Sequence, residues 1–224
     1  MNRFADRKDA GFRLAAALGA YANRLDVIVL ALPRGGVPVA HEVARVLNAP
    51  LDVWIVRKIG VPGHEELAMG AIALGDQQYL DRSLIARLGV SDGAVQRVVA
   101  REAEELQRRN RQYRNARPLP QLDGQTVILV DDGLATGASM RVAVQSVRNA
   151  GAREIVVAVP VGPASTCAGL AELAIKVVCP WQPEPFQGVG QWYDDFTQTG
   201  DDEVRTLLAQ QPWMDQRRRA GADV

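Results

Sequence analysis

The chain has 224 residues, 47% of them apolar and 23% charged, which is enough for a well-buried α/β domain with additional structure. Lysine plus arginine and aspartate plus glutamate number 26 each, so no overall field recruits nucleic acid or an anionic membrane, and any anion binding must be local. The two cysteines, Cys167 and Cys179, form no Cys-x-x-Cys pair; this argues against a disulfide framework or structural zinc site and suits small buried hydrophobes in a reducing compartment.

Residues 1–9 are charged where a secretory leader would be apolar, and no apolar run has the length of a membrane helix, so a soluble cytoplasmic protein is expected. Residues 7–24 place Ala10, Leu14, Ala17, Leu18 and Tyr21 at helical spacing. A buried strand is expected over 27–32, followed by the turn Pro33-Arg34-Gly35-Gly36, a helix over 37–47 and a strand over 52–56 that closes at Arg57-Lys58. Strand, glycine turn, helix and strand make a βαβ unit with parallel strands and a right-handed crossover.

Between 59 and 80 the pattern weakens. The polar, turn-rich residues 61–66 suit a mobile loop, and 71–74 a short strand. Helices are expected over 83–88 and 91–117, the second with Ser91 as N-cap. Its arginines alternate with glutamates at i, i+4, as in Arg101 with Glu105 and Glu104 with Arg108, which favours a solvated ion-paired face over a nucleic-acid stripe. After a turn over 118–124 come a strand from 127, a helix over 138–150 stopped by Gly151, a strand over 154–159, a helix over 163–173 and a strand over 175–179. Beyond Pro180, five of the twelve aromatics (Trp181, Phe186, Trp192, Tyr193 and Phe196) fall within sixteen residues; a last helix is expected over 201–210, and Arg217-Arg218-Arg219 as a frayed end.

This alternation predicts a parallel sheet covered on both faces, with ligands at the carboxyl ends of its strands. Arg34, Arg57, Lys58, Asp131 and Asp132 are all expected there. The most informative stretch is 127–139, Val-Ile-Leu-Val-Asp-Asp-Gly-Leu-Ala-Thr-Gly-Ala-Ser. Thr136-Gly137-Ala138-Ser139 can cradle a phosphate at a helix N-terminus, or simply cap that helix. Asp131 and Asp132 are adjacent carboxylates at the end of a buried strand, costly to desolvate unless hydroxyl donors or a magnesium ion compensate. Together they suggest a phosphorylated sugar.

Residues 127–139 resemble the phosphoribosyl pyrophosphate (PRPP) signature of type I phosphoribosyltransferases, with Gly133 a mild departure. Residues 33–38, Pro-Arg-Gly-Gly-Val-Pro, look like the family's pyrophosphate loop, and the likeness spans about residues 25–180. Phe4-x-Asp6-Arg7-x-x-Ala10-Gly11 and Arg57-Lys58-Ile59-Gly60-x-Pro62-Gly63 are similar to a bacterial subgroup of that family. The resemblance implies a Rossmann-like parallel sheet flanked by helices, with a small C-terminal hood. It places residues 1–180 in the core, including a helical insertion near 83–117, and 181–224 in an aromatic hood and last helix of the same domain.

It further implies that Asp131 and Asp132 hold the ribose hydroxyls and, through substrate or water, Mg2+. Ala135, Thr136, Gly137, Ala138 and Ser139 would wrap the 5-phosphate; Arg34, Gly35, Gly36, Arg57 and Lys58 would take the pyrophosphate, with Asp131, Asp132, Arg34 and Lys58 carrying catalysis. Residues 59–69 occupy the place of the flexible catalytic loop, although an exposed loop histidine is the favoured reading of His64. Phe186, Trp192 and Tyr193 are candidates to stack on a nucleobase-like acceptor, or to plug one end of the core. Ala135 stands where enzymes acting on 6-oxopurines have an aspartate, which disfavours hypoxanthine, guanine and xanthine. A homodimer is expected by resemblance. A non-catalytic PRPP- or nucleotide-binding regulator and a flavodoxin-like phosphate or response-regulator domain are the alternatives.

Overall fold

The computed structural model describes residues 3–75, 77–115, 117–173 and 175–210; Arg217-Arg218-Arg219 lie outside them. Asp6 caps α1 (Arg7–Ala16) by accepting the Asp9 amide at 2.8 Å. The helix stops short of the 7–24 expected from periodicity. The chain tightens through a 3-10 turn at Gly19–Tyr21, and Asn23 takes φ 59°.

β1 (Val27–Ala31), α2 (Gly36–Leu47) and β2 (Leu51–Val53) form the expected parallel unit. β3 (Val56–Val61), β4 (His64–Ala73) and β5 (Gln77–Leu80) follow, then α3 (Arg82–Arg87) and α4 (Asp92–Arg114), capped by Ser91. β6 (Thr126–Val130), α5 (Ala138–Asn149), β7 (Glu154–Ala158), α6 (Ala164–Ala171) and β8 (Lys176–Val178) complete the parallel architecture. A 3-10 turn at Val189–Trp192 and α7 (Asp201–Ala209) end the described chain. The central sheet has the order β2-β1-β6-β7-β8, all neighbours parallel, flanked by helices. All five positions of both β1 and β6 are buried, which explains their uninterrupted apolar runs.

Two expectations are corrected here. The strand expected over 52–56 ends at Val53, and Arg57 and Lys58 lie inside β3, not at the carboxyl end of a parallel strand. Residues 59–69, expected as a loop, belong largely to an antiparallel β3-β4 hairpin in a second sheet of order β3-β4-β5. The strand pattern is disguised by register shifts on either side of Gly60. A Cβ at Gly60 would lie 2.5 Å from the Glu65 carbonyl oxygen, so a residue that looks like a turn signal instead permits close strand approach.

Helix α4 is tied to both sheets. At its end Arg114 donates three hydrogen bonds of 2.7–3.1 Å to the buried Asp52 of β2, and Arg57 of β3 donates two to Glu102. The tail is tied to the N-terminus: Phe4 donates its amide to the Trp192 carbonyl at 2.8 Å, and Asp194 returns one to Phe4. Around these bonds Phe4, Trp181, Phe186, Trp192 and Tyr193 form a second apolar cluster with Ala10 and Val161. Among the described residues no helix is long and apolar enough to cross a membrane.

Candidate functional site

Adjacent strands β1 and β6 end side by side, and the Leu32 amide bonds the Val130 carbonyl at 2.8 Å just past their ladder. Each strand then feeds a glycine-capped helix. Gly35 caps α2 and Gly137 caps α5, and neither glycine has a side chain to offer the first amides. At α5 the Ala138 amide makes one long bond, 3.4 Å, to Thr136 Oγ1. Two helix N-termini therefore open at the same end of the sheet; at α2 the Gly36 and Val37 amides already donate to the Leu32 and Arg34 carbonyls and Pro38 has no amide hydrogen, so the less satisfied of the two is the start of α5. Gly137 has φ 73°, and its Cα faces Thr166 so closely that a Cβ would lie 2.8 Å from that side chain. The Pro33–Arg34 peptide is cis.

The loop from Asp131 to Gly137 is held by bonds from several elements. Asp131 Oδ1 accepts the Asp132 amide at 2.9 Å. Tyr193 Oη donates to the Asp132 carbonyl at 2.5 Å, the Leu134 amide to the Val161 carbonyl at 2.9 Å, and Thr166 Oγ1 to the Ala135 carbonyl at 2.9 Å. Thr136 is exposed, and Ala138 and Ser139 are half-buried. The loop is fixed from behind and open in front.

Gly35 and Gly36 pack directly against Asp132 and Asp131. Burial, reinforced by the charge of Asp132, holds the Asp131 carboxyl well above the ordinary range; burial also raises Asp132, opposed by the Arg7 guanidinium. Such a pair gains from any incoming hydroxyl donor or cation. No group of three or more His, Cys, Asp or Glu side chains gathers as a metal cage among the described residues.

The other expected residues are distributed around this centre. Arg34 Nη1 lies 3.6 Å from Asp201 Oδ1 at the start of α7. Arg57 is engaged by Glu102. Lys58 is exposed and shares with Ser139 a polar cleft of about 320 Å3, floored by Gly60 and Glu65. The hairpin thus brings Lys58 to the mouth of the α5 turn by a route other than a parallel strand end. His64 is exposed. Phe186, Trp192 and Tyr193 pack on one another and on the Phe4 cluster, with Trp181 and Trp192 rings 4.7 Å apart.

One residue stood in the sequence only as part of the subgroup motif, with no role in the site: Arg7. Its Nε donates to Asp132 Oδ2 at 2.9 Å. A signal existed, because Arg7 shares the i, i+3, i+7 face of α1 with buried Ala10 and Leu14, an unusual place for a cation.

These features define an α/β protein in which two glycine-capped helix starts and a carboxylate pair lie together at the carboxyl ends of adjacent parallel strands. The family model for the phosphoribosyl transferase domain matches residues 5–186, and the chain belongs to that family. It is 46% identical over 208 residues to Rv0571c and MT0597, provisionally named phosphoribosyl transferases of Mycobacterium tuberculosis strains ATCC 25618 / H37Rv and CDC 1551 / Oshkosh. Those matches cover 93% of this chain and 47% of each relative, so the chain spans about half the length of the curated relatives it matches. The crystal structure of TT1426 from Thermus thermophilus is similar at 42% identity, with a TM-score of 0.79 over 92% of this chain and 97% of that one. A hypothetical protein from Neisseria gonorrhoeae with bound ppGpp shares the fold at 16% identity, TM-score 0.50, over 92% of this chain and 93% of that one.

Proposed function

We propose that this chain transfers the phosphoribosyl group of PRPP to a nucleobase-like acceptor, with release of pyrophosphate and with Mg2+ as cofactor. The observation that carries this reading is the convergence of two glycine-capped helix N-termini on the Asp131-Asp132 pair, because PRPP has two anionic ends separated by a ring bearing hydroxyls. The 5-phosphate would sit on Thr136–Ser139 and the start of α5. Asp131 and Asp132 would accept from the ribose hydroxyls. The pyrophosphate would lie against the Gly35-Gly36 turn, with Arg34 and Lys58 at its edges.

In the reaction a lone pair on an acceptor nitrogen forms the bond to C1 while the C1–O bond breaks, its electrons leaving with pyrophosphate. A proton on that nitrogen passes to solvent. Positive charge builds on the ribose ring, so carboxylates fixed beneath it and donors fixed at the leaving group stabilise the transition state without reorganising. The donor set suits Mg2+: Asp131 and Asp132 are adjacent hard oxygen donors and would hold the ion directly or through water and substrate. When bound, the ion supplies neutralisation of the developing pyrophosphate charge. Ala135 presents a methyl group where a 6-oxopurine would need a carboxylate, so the reading favours another acceptor.

The test is incubation with PRPP, Mg2+ and a panel of free bases while following pyrophosphate, alongside calorimetric PRPP binding. Acceptor-dependent release of pyrophosphate is expected. PRPP binding without release under any acceptor would favour a sensor, and absence of both overturns the proposal.

A further inference from the structure

Arg7 lies outside both loops yet reaches the centre of the site. Its Nε donates to Asp132 Oδ2 at 2.9 Å, its Nη1 donates to the Thr197 carbonyl at 2.7 Å, and its guanidinium carbon sits 4.0 Å from the centroid of the Phe196 ring. The side chain is only 10% exposed, against 15% for its partner carboxylate. A cation held from three directions in so little solvent is tightly constrained, and it presents an N–H to one carboxylate oxygen. Among the described residues no other side chain donates to this carboxylate, so its second oxygen, Oδ1, has no side-chain donor.

We infer that Arg7 is a positioning residue for the sugar: it fixes the Asp132 carboxylate through Oδ2 and leaves Oδ1 turned toward the ribose hydroxyls. The inference rests on the PRPP reading above. It also gives the aromatic tail a task. Phe196 and Thr197 close over the far side of the guanidinium, and Tyr193 holds the carbonyl of the same aspartate, so the tail acts on the ribose side of the site through Arg7 and Asp132. Residues 4–7 and 193–197, far apart in the sequence, thereby meet at one carboxylate.

The experiment compares wild type, Arg7→Gln and Arg7→Lys by titration calorimetry with two probes, PRPP with Mg2+ and inorganic phosphate alone. Phosphate should occupy the Thr136–Ser139 cradle, which Arg7 does not touch. The expected result is a loss of about tenfold or more in PRPP affinity for Arg7→Gln. Phosphate affinity should stay within about twofold of wild type, and Arg7→Lys should recover part of the PRPP loss because it restores a donor near Oδ2. Equal losses for both probes, or PRPP affinity unchanged in Arg7→Gln, overturn the assignment while leaving the PRPP reading intact. Wild-type protein that binds no PRPP overturns that reading and this inference together.

If Arg7→Gln does not fold, Phe196→Leu carries the test. It removes the ring from the guanidinium without altering a loop of the site. A selective loss of PRPP over phosphate supports the inference, and equal or absent losses overturn it.

Discussion

Gly35 lies so close to Asp132 that a Cβ built on it would sit 2.1 Å from the carboxylate oxygen Oδ2 and 2.8 Å from Cγ. The turn that opens α2 and the carboxylate that follows β6 are thus packed as one surface. A methyl group here must displace either the carboxylate or the start of α2. Gly35→Ala is therefore expected to cost about 1–3 kcal/mol of stability, lowering the melting temperature by roughly 2–4 °C per kcal/mol in a chain of this size. PRPP affinity, measured by calorimetry, should fall by about tenfold or more because the carboxylate is the movable partner. Unchanged affinity would show that PRPP binding does not require this packing.

Asp132→Asn separates charge from shape. The amide retains the size of the carboxylate, but its oxygen is a weaker acceptor, and the buried Arg7 loses its counter-ion. PRPP binding should drop below detection in calorimetry, with a stability loss on the order of 3 kcal/mol from the uncompensated guanidinium. Asp131→Asn has no direct Arg7 bond and should lose binding with a smaller stability penalty. If Asp132→Asn bound PRPP like wild type, Asp132 would have no place in the sugar site.

How much of this was legible in sequence depended on whether the determining contacts were local. β1, β6 and β7 begin and end within a residue or so of their expected limits because short apolar runs bounded by charged residues, Gly or Pro are a short-range signal. The carboxylate pair and the two glycine turns were legible for the same reason, since each site segment is contiguous. The β3-β4 hairpin was not, because its register shifts around Gly60 erase the period of two. Arg7 was missed because its partner is 125 residues away, and the pairing of the aromatic tail with Phe4 likewise spans the chain. Composition showed that aromatics were dense there. It could not show what they face.

The Arg114–Asp52 pair is expected to govern the attachment of α4 to the central sheet. The two side chains are 1% and 4% exposed, and Arg114 also donates to the carbonyls of Arg117 and Pro118. Burial pushes the Asp52 carboxyl up while Arg114 opposes it, the balance expected of a desolvated pair. Arg114→Met, which leaves a buried carboxylate alone, should cost about 3–5 kcal/mol in urea unfolding, whereas Arg114→Met with Asp52→Leu should recover much of that loss. If the double variant were no better than the single one, the cost would lie in the Arg114 carbonyl contacts instead.

Tyr113 and Asp201 provide a pH-dependent link between α4 and α7. Tyr113 Oη donates to Asp201 Oδ1 at 2.6 Å, and burial together with that carboxylate pushes the phenol up to about 12. The folded state thus holds the phenolic proton more tightly than the unfolded chain, whose tyrosine titrates near 10. The contribution is complete below about pH 10 and is lost as pH rises toward 12. The stability difference between wild type and Tyr113→Phe, from urea unfolding, should shrink by on the order of 2 kcal/mol between pH 9 and 12. A difference independent of pH over that range would mean that the proton is not held by this contact.

Tyr193 connects the tail to the backbone of the site, and this connection can be cut with one oxygen. Its hydroxyl donates to the Asp132 carbonyl at 2.5 Å, while burial and the nearby Asp132 charge push the phenol well up, so it remains a donor at neutral pH. The ring itself is packed against Phe4 and Phe196. Tyr193→Phe keeps that packing and removes only the donor, leaving the Asp132 carbonyl short of its tightest partner. A stability loss of about 1–3 kcal/mol is expected for the unsatisfied acceptor. If the tail fixes the loop, PRPP affinity should fall as well, while inorganic phosphate binding at the Thr136–Ser139 turn stays near wild type because that turn is anchored separately by Thr166. A loss of melting temperature with both affinities unchanged would confine Tyr193 to packing the end of the core.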